Sequence, residues 1–452
     1  MTDTIQRSLP PRVELARPMS SAVDPTWGGA VWVGAVDLAE VPGDDAGTVG
    51  LHDAAGHRSA RLLVRDGVAP LGFVDLPVSD ETIEVAALRA AVAALPAVPQ
   101  PPIPVRLPST SVVLCTRDRA DQLGAALDSL LALDHPDFEV VIVDNAPSDE
   151  STRELVEALD DDRVRYVREP VPGLSSARNA GVLAARHEIV AFTDDDVVVD
   201  RAWLRAVASG FSRGDDVVCV SGLVASGELR TPTQRYFDER VTWSRNLVPR
   251  VHRLSAPPVD RPLFPFAVGD YGTGANFAMR RSAITDLGGF DEALGVGTVT
   301  GGGEDIDMFS RVVLSGAALV VEPAALVWHR HRADLPALRK QAEGYGTGLG
   351  AWLTKIALQP RTLGMALQRA PRAVRHLVSG SAAEPAVAPA AAAAAAAAPV
   401  AVGTADAPLD DAAFLREVGR MRWVELLAVG RGVLRYGRSR RTVRARERTA
   451  NR

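Results

Sequence analysis

Lysine is almost missing from this chain. Lys340 and Lys355 are the only two among 50 basic residues in a length of 452, so nearly every cation is an arginine. That bias reads as composition rather than function. Cysteine is equally scarce: Cys115 and Cys219, each inside an apolar run. Two isolated thiols exclude a disulfide framework and suit a reducing compartment. No run of 18 or more strongly apolar residues exists, so no membrane span is expected. Met1 to Pro18 is polar without an apolar centre, so no secretory signal is expected and a cytoplasmic location follows. The net charge is only −6, which argues against nucleic acid as the partner of the whole molecule.

What is present is apolar residue in quantity, 47% of the chain, enough for two or three domains. Residues 1–25 read as a disordered N-terminus. Residues 26–96 read as a small β-rich accessory domain. Its strands are expected at Ala30–Val36, Ser59–Arg65 and Leu71–Leu76, with a helix at Glu84–Leu95. Prolines stiffen a linker over 97–108. Residues 109–335 carry the chemistry, and within them 224–265 read as irregular. Residues 336–378 read as a helical extension, 379–408 as an Ala/Pro-rich linker, and 409–452 as a basic amphipathic tail.

In the chemical region, Ser111–Cys115 and Phe138–Val143 are Val/Ile-rich runs of the kind found in buried strands. A helical pattern lies between them at Leu123, Ala126, Leu127, Leu130 and Leu131. Val164–Val167 follows, then a Gly173 turn opening a helix at Ala177. The alternation predicts βαβ units, a mostly parallel sheet flanked by helices, and ligands at the carboxyl ends of the strands. The run Ile189–Phe192 ends in Thr193-Asp194-Asp195-Asp196. Three carboxylates at a strand end repel one another. A hard divalent cation, Mg²⁺ or Mn²⁺, would relieve that repulsion; a solvated acidic loop is the other reading. Arg178 stands at a helix start after a glycine turn, where both its charge and the helix N-terminus suit a phosphate. Glu304-Asp305 follows a loop containing Gly295, Gly297, Gly301, Gly302 and Gly303. Acids capping a helix explain one of these carboxylates; five glycines before them point to a ligand approaching closely.

These phrases together resemble family-2 glycosyltransferases with the GT-A fold. They are Val113-Leu114-Cys115-Thr116-Arg117-Asp118-Arg119, Val141-Ile142-Val143-Asp144-Asn145, Gly173 to Gly181, Thr193 to Asp196, and Gly301 to Asp307. The resemblance covers roughly 109–335. It implies transfer of a sugar, with inversion, from a nucleotide diphosphate sugar to an acceptor hydroxyl on a glycan or a lipid-linked molecule, in cell-envelope or other glycan synthesis. It further implies donor contacts from Thr116, Arg117, Asp144, Asn145, Arg178 and Asp195. Asp194 and Asp196 become metal ligands, with His329 as the third and His331 as the lesser candidate. Asp305 becomes the base and Glu304 an acceptor-positioning group. The family usually has an aromatic residue near Arg117, so the nucleobase stays open here.

Two other classes compete. A nucleotidyltransferase would want a glycine-rich basic loop after the first strand, and none precedes Gly124. A non-catalytic glycan-binding protein of the same fold would be marked by loss of the aspartates, which are present. The Gln-x-x-Arg-Trp phrase of processive synthases is absent, so few transfers are expected. Trp243 is a candidate sugar platform. The tail from Arg431 to Arg452 holds nine arginines against one glutamate. Interleaved with Leu415, Val418, Trp423, Leu426, Leu427, Val433 and Leu434, it reads as a solvated basic extension or as an arm, uncoupled from the catalytic body, resting on an anionic membrane surface at the inner face, with nucleic-acid contact the third reading.

Overall fold

A computed structural model describes residues 14–21, 24–43, 47–241, 244, 247–378 and 412–450. The expected linker 379–408, most of the N-terminal 25 residues, Trp243 and Arg245 lie outside or largely outside these. Glu14–Leu15 is a strand, so the N-terminal module begins before residue 26. The module has two small sheets. Val31–Asp37 pairs parallel with Ser59–Asp66, which turns at Gly67 into antiparallel Ala69–Pro77. Glu14–Leu15, Thr48–Leu51 and Thr82–Glu84 form the other, ahead of the helix Val85–Ala93. Trp32, Leu62, Val64, Ile83 and Leu88 make its core. Val31, Val33 and Leu63 face outward and bury against Leu223, Ala225, Leu326 and Trp328 of the larger domain. Arg61–Asp238 and Arg65–Asp200 ion pairs, each 2.5 Å, lock the same junction.

The larger domain is built on a nine-stranded sheet. In chain order its strands are β1 (Thr110–Thr116), β2 (Phe138–Asn145), β3 (Val164–Glu169), β4 (Ile189–Asp194), β5 (Val197–Val199), β6 (Val217–Ser226), β7 (Arg250–His252), β8 (Asn276–Arg280) and β9 (Ala318–His329). Across the sheet they run β5-β9-β6-β8-β4-β1-β2-β3, with β7 pairing β9. Six of the nine point one way; β8, β5 and β7 run against them. Every residue of β2 is buried, as expected of a strand covered on both faces. One covering layer holds α1 (Ala120–Leu131) and α4 (Trp203–Phe211). The other holds α3 (Leu174–Ala184) and α7 (Glu304–Ser315).

Residues 224–265 are more ordered than their composition implies. α5 spans Pro232–Arg240, and Thr231 with Gln234 forms a complete capping box at its start. That Thr-Pro-Thr-Gln signature was the available cue.

The C-terminal part differs most from expectation. Residues 335–378 form two helices, α8 (Leu335–Ala357) and α9 (Pro360–Val378). Residues 412–450 form one 39-residue helix, α10, which packs along α8. It is not an uncoupled arm. Phe414, Val418 and Met421 close a cluster with Phe237 and Leu338, while Tyr436 and Val443 close another with Ala293, Leu294 and Ala351. The contact is unusually close because α8 presents glycines. A Cβ at Gly350 would lie 2.0 Å from the Val429 carbonyl oxygen, and one at Gly346 2.6 Å from that of Glu425. The alternate glycines serve the loop before α7: a Cβ on Gly344 would lie 2.8 Å from the Gly301 carbonyl oxygen, and one on Gly348 2.8 Å from the Gly303 nitrogen. Lys355 joins Asp291 (2.8 Å) to Asp307 of α7 (2.9 Å), and the Tyr436 hydroxyl of α10 donates to Asp291 at 3.2 Å. Among the described residues no helix is long and apolar enough to cross a membrane.

Candidate active site

β1, β2, β4 and β9 all end at the same sheet edge, which brings Thr116, Asp144, Asn145, Asp194 and His329 together. β5 then doubles back on β9 with Val197 opposite His329, so Asp196 lies beside the histidine. The result is a cluster of Asp194, Asp196 and His329 whose ligating atoms all lie within 4.8 Å of one another. Two carboxylates and an imidazole are a suitable donor set for Mn²⁺ or Mg²⁺. His329 Nε2 faces Asp196 Oδ1 at 3.2 Å. His331 is not part of the cluster. It is buried, and its Nδ1 lies 3.0 Å from His329 Nδ1, placing it behind the ligand.

The third aspartate does different work. Asp195 accepts from the Thr116 hydroxyl at 2.7 Å and from Arg119 at 2.5 Å. Arg119 also reaches Asp196 at 3.4 Å, as does Arg332. Burial works to raise the Asp196 carboxyl, but His329, Arg332 and Arg119 outweigh it and hold the group well below the usual range. Burial pushes Asp194 up to about 6, with Arg178 opposing and Asp196 adding to the rise. Arg119 and Arg332 were not singled out from sequence. The signals were there, in the basic residue ending Thr116-Arg117-Asp118-Arg119 and in Arg330-His331-Arg332 after the histidine.

Arg178 connects the two acidic clusters. It is buried in α3, donates to Glu304 and to the Gly274 carbonyl at 3.0 Å each, and lies 3.9 Å from Asp194. Glu304 begins α7, and Gly303 before it has φ 94°, a left-handed backbone that glycine adopts without strain. Burial, then the neighbouring Asp305, raises the Glu304 carboxyl to about 7, against the pull of Arg178. Its Oε2 is buried with no hydrogen-bond partner. Asp305 is more accessible and accepts the Gly274 N–H at 2.8 Å. Tyr345 of α8 is exposed, and its hydroxyl accepts from Gln341 Nε2 at 3.0 Å.

The remaining expected donor residues are less tightly grouped. Asp144 lies opposite Thr116 in register; Tyr166 donates to one of its oxygens at 2.9 Å and the other is buried without a partner. Asn145 uses both ends of its amide on the loop before α3, donating to Val171 O and accepting from Gly173 N–H, each at 2.8 Å. Arg117 is exposed and pairs with Asp118 at 3.6 Å.

Residues 111–288 match the family described as "Glycosyl transferase family 2". Among curated proteins, the pre-mycofactocin glycosyltransferase of Mycobacterium tuberculosis is 31% identical over 239 residues, 52% of this chain and 46% of that protein. The succinoglycan biosynthesis protein ExoO of Rhizobium meliloti is 30% identical over 230 residues, 50% of this chain and 61% of that one. The chain thus spans about half the length of the curated relatives it matches. Among solved structures, the mannosyltransferase PcManGT from Pyrobaculum calidifontis, in complex with GDP-Man and Mn²⁺, aligns at 19% identity with a TM-score of 0.46, covering 74% of this chain and 89% of that one. Residues 111–288, which hold the Asp194–Asp196 strand end and the Arg178 helix, thus match glycosyltransferase family 2, the family that the sequence phrases resemble.

Proposed function

We propose that residues 109–335 transfer a sugar from a nucleotide diphosphate sugar to an acceptor hydroxyl, by single displacement with inversion at the anomeric carbon. The observation that carries this reading is Arg178, one buried guanidinium within reach of Asp194 on one side and Glu304 on the other. Leaving group and acceptor must lie on opposite faces of the anomeric carbon, and the two acidic clusters approach different terminal nitrogens of Arg178, Asp194 at 3.9 Å and Glu304 at 3.0 Å. Asp194, Asp196 and His329 would hold Mn²⁺ or Mg²⁺, which when bound neutralises the diphosphate. Arg119 and Arg332 keep Asp196 ionised for that task. Arg178 offers a second cation to the diphosphate.

Asp305 takes the acceptor proton. Its accessibility and its fixed bond to the Gly274 N–H support that role over Glu304, which is buried, bonded to Arg178 and raised by burial to about 7. Glu304 positions the acceptor and Arg178. Asp144, with an unpartnered buried oxygen, is the best placed of the nucleoside contacts. Asn145 serves by fixing the loop in front of α3. Transfer is non-processive, and the acceptor is a glycan or lipid-linked hydroxyl of cell-envelope synthesis. The setting is the cytoplasm and the inner face of the membrane, in keeping with two cysteines that remain free thiols. The test is donor hydrolysis and transfer across a panel of nucleotide sugars with Mn²⁺. No turnover of any donor, with Mn²⁺ binding intact, would reject the reading.

A further inference from the structure

We propose that the solvent face of α10 is a docking surface for an anionic lipid bilayer. The inner seam of this helix is Phe414, Val418, Met421, Glu425, Ala428, Gly432, Tyr436, Ser439 and Val443, at spacings of three or four. The opposite face runs Arg416, Arg420, Trp423, Leu427, Gly430, Leu434, Arg438, Arg441, Ala445 and Arg448, at the same spacings, and every one is exposed. Trp423 is 69% exposed, Leu427 61% and Leu434 79%. Single exposed apolar residues are ordinary. Here three large ones align along the centre of one face, with arginines at both ends and no acid in the row. Apolar residues with Trp on one strip and arginines beside them match the surface of a bilayer carrying anionic headgroups. A second copy fits poorly. The row reads nearly the same in both directions, so parallel and antiparallel self-pairing both set arginine against arginine. Arg431, beside this face, approaches Glu343 of α8 at 3.9 Å. This rests on the proposed function only in making a lipid-linked acceptor useful; bilayer binding can be measured without any donor.

The full chain should co-sediment with phosphatidylcholine vesicles containing phosphatidylglycerol and not with pure phosphatidylcholine, and release as salt rises. Arg438→Gln with Arg441→Gln and Arg448→Gln should weaken partitioning by about fivefold per arginine. Trp423→Ser with Leu434→Ser should remove the part that persists at high salt. Donor binding, which these outward residues do not touch, should be unchanged in both. No sedimentation with anionic vesicles, or sedimentation unaffected by both variants, overturns the proposal. So does a concentration-dependent dimer that the Trp423/Leu434 variant disperses, or displacement of vesicles by duplex DNA at equal charge.

A second inference concerns the N-terminal module. The geometry points to Arg61, Asp238, Ser226 and His331 as positioning residues that fix which nitrogen of His329 faces the metal site. Arg61 pairs with Asp238 Oδ2 at 2.5 Å, so that carboxylate is ionised and can only accept. The Ser226 hydroxyl gives its single proton to Asp238 Oδ1, at 2.6 Å. Ser226 Oγ must then accept from His331 Nε2–H, at 3.0 Å. His331, with its one proton there, presents a bare Nδ1 to His329 Nδ1 at 3.0 Å, so His329 donates through Nδ1–H. Its Nε2 is thereby the nitrogen turned to Asp196 and the one able to ligate. The accessory module thus reaches the metal site through four hydrogen bonds.

Asp238→Asn tests this, because an amide can donate to Ser226 and reverse every bond after it. Mn²⁺ affinity by calorimetry should fall 10- to 100-fold. Ser226→Ala, which only opens the chain, should cost less. Nitrogen NMR of the wild-type histidines should place a proton on His329 Nδ1. A proton on Nε2 of neutral His329 with Nδ1 bare, or unchanged Mn²⁺ affinity in folded Asp238→Asn, overturns the assignment. If Asp238→Asn does not fold, the wild-type spectrum alone decides.

Discussion

Arg178 and Glu304, 126 positions apart in sequence, meet at 3.0 Å inside the protein, and the bond ties the Asp194 end of the site to the start of α7. Removing one partner leaves the other as an uncompensated buried charge, so the pair is a point of fragility as well as of order.

Asp196→Ala should abolish Mn²⁺-dependent donor binding while leaving the melting temperature near that of the wild type. Asp194→Ala should do so less severely, because Asp196 is the carboxylate that faces His329 Nε2, at 3.2 Å. Calorimetry with Mn²⁺ and nucleotide reads both. Unchanged metal-dependent affinity in Asp196→Ala would remove the metal assignment.

Asp305→Asn keeps the shape and the contact with Gly274 but loses the proton acceptor. Transfer should fall by about 10²-fold or more with donor affinity retained. Normal turnover would move the role to Glu304.

Glu304 makes stability depend on pH. Its carboxyl titrates near 7 in the folded chain against an ordinary value of 4.5, so between these the native state binds more protons than the unfolded state. Its contribution is therefore complete below about pH 4.5 and is lost as pH rises through 7. Glu304→Gln should flatten that part of the stability profile in urea unfolding. A profile of unchanged slope would show that Arg178 keeps the group ionised.

Gly350→Ala should destabilise by about 1–3 kcal/mol, because the new methyl meets the Val429 carbonyl oxygen and the two helices must part. Gly419→Ala, on α10 with nothing within 4 Å of its would-be Cβ, should stabilise by roughly 0.5–1 kcal/mol. Equal unfolding midpoints for the two would contradict the close packing of α8 on α10.

The sheet was legible because its strands are buried on both faces and read as unbroken Val/Ile runs that stop at polar residues. That is also why Asp194, Asp196 and His329 could be found: each ends or follows a strand. Arg119 and Arg332 stand in phrases that signal the site, but no sequence pattern says that the two, from separate elements, both reach Asp196. The tail misled for a further reason. Trp423, Leu427 and Leu434 are the large apolar residues a reader selects, and they face solvent. The middle of the buried seam, Glu425, Ala428 and Gly432, carries no large apolar residue where α10 meets the glycines of α8; Phe414, Val418, Met421, Tyr436 and Val443 pack on either side of it.

Those glycines also bear on how the chain folds. α8 carries Gly344, Gly346, Gly348 and Gly350 within two turns, each costing helix formation about 1 kcal/mol against alanine. On its own this segment is a poor helix. It becomes one when clamped, with α10 against one pair of glycines and the Gly301–Gly303 loop against the other. The loop that delivers Glu304 and Asp305 therefore orders together with α10, so that side of the site is completed only once residues 425–432 are in place against α8.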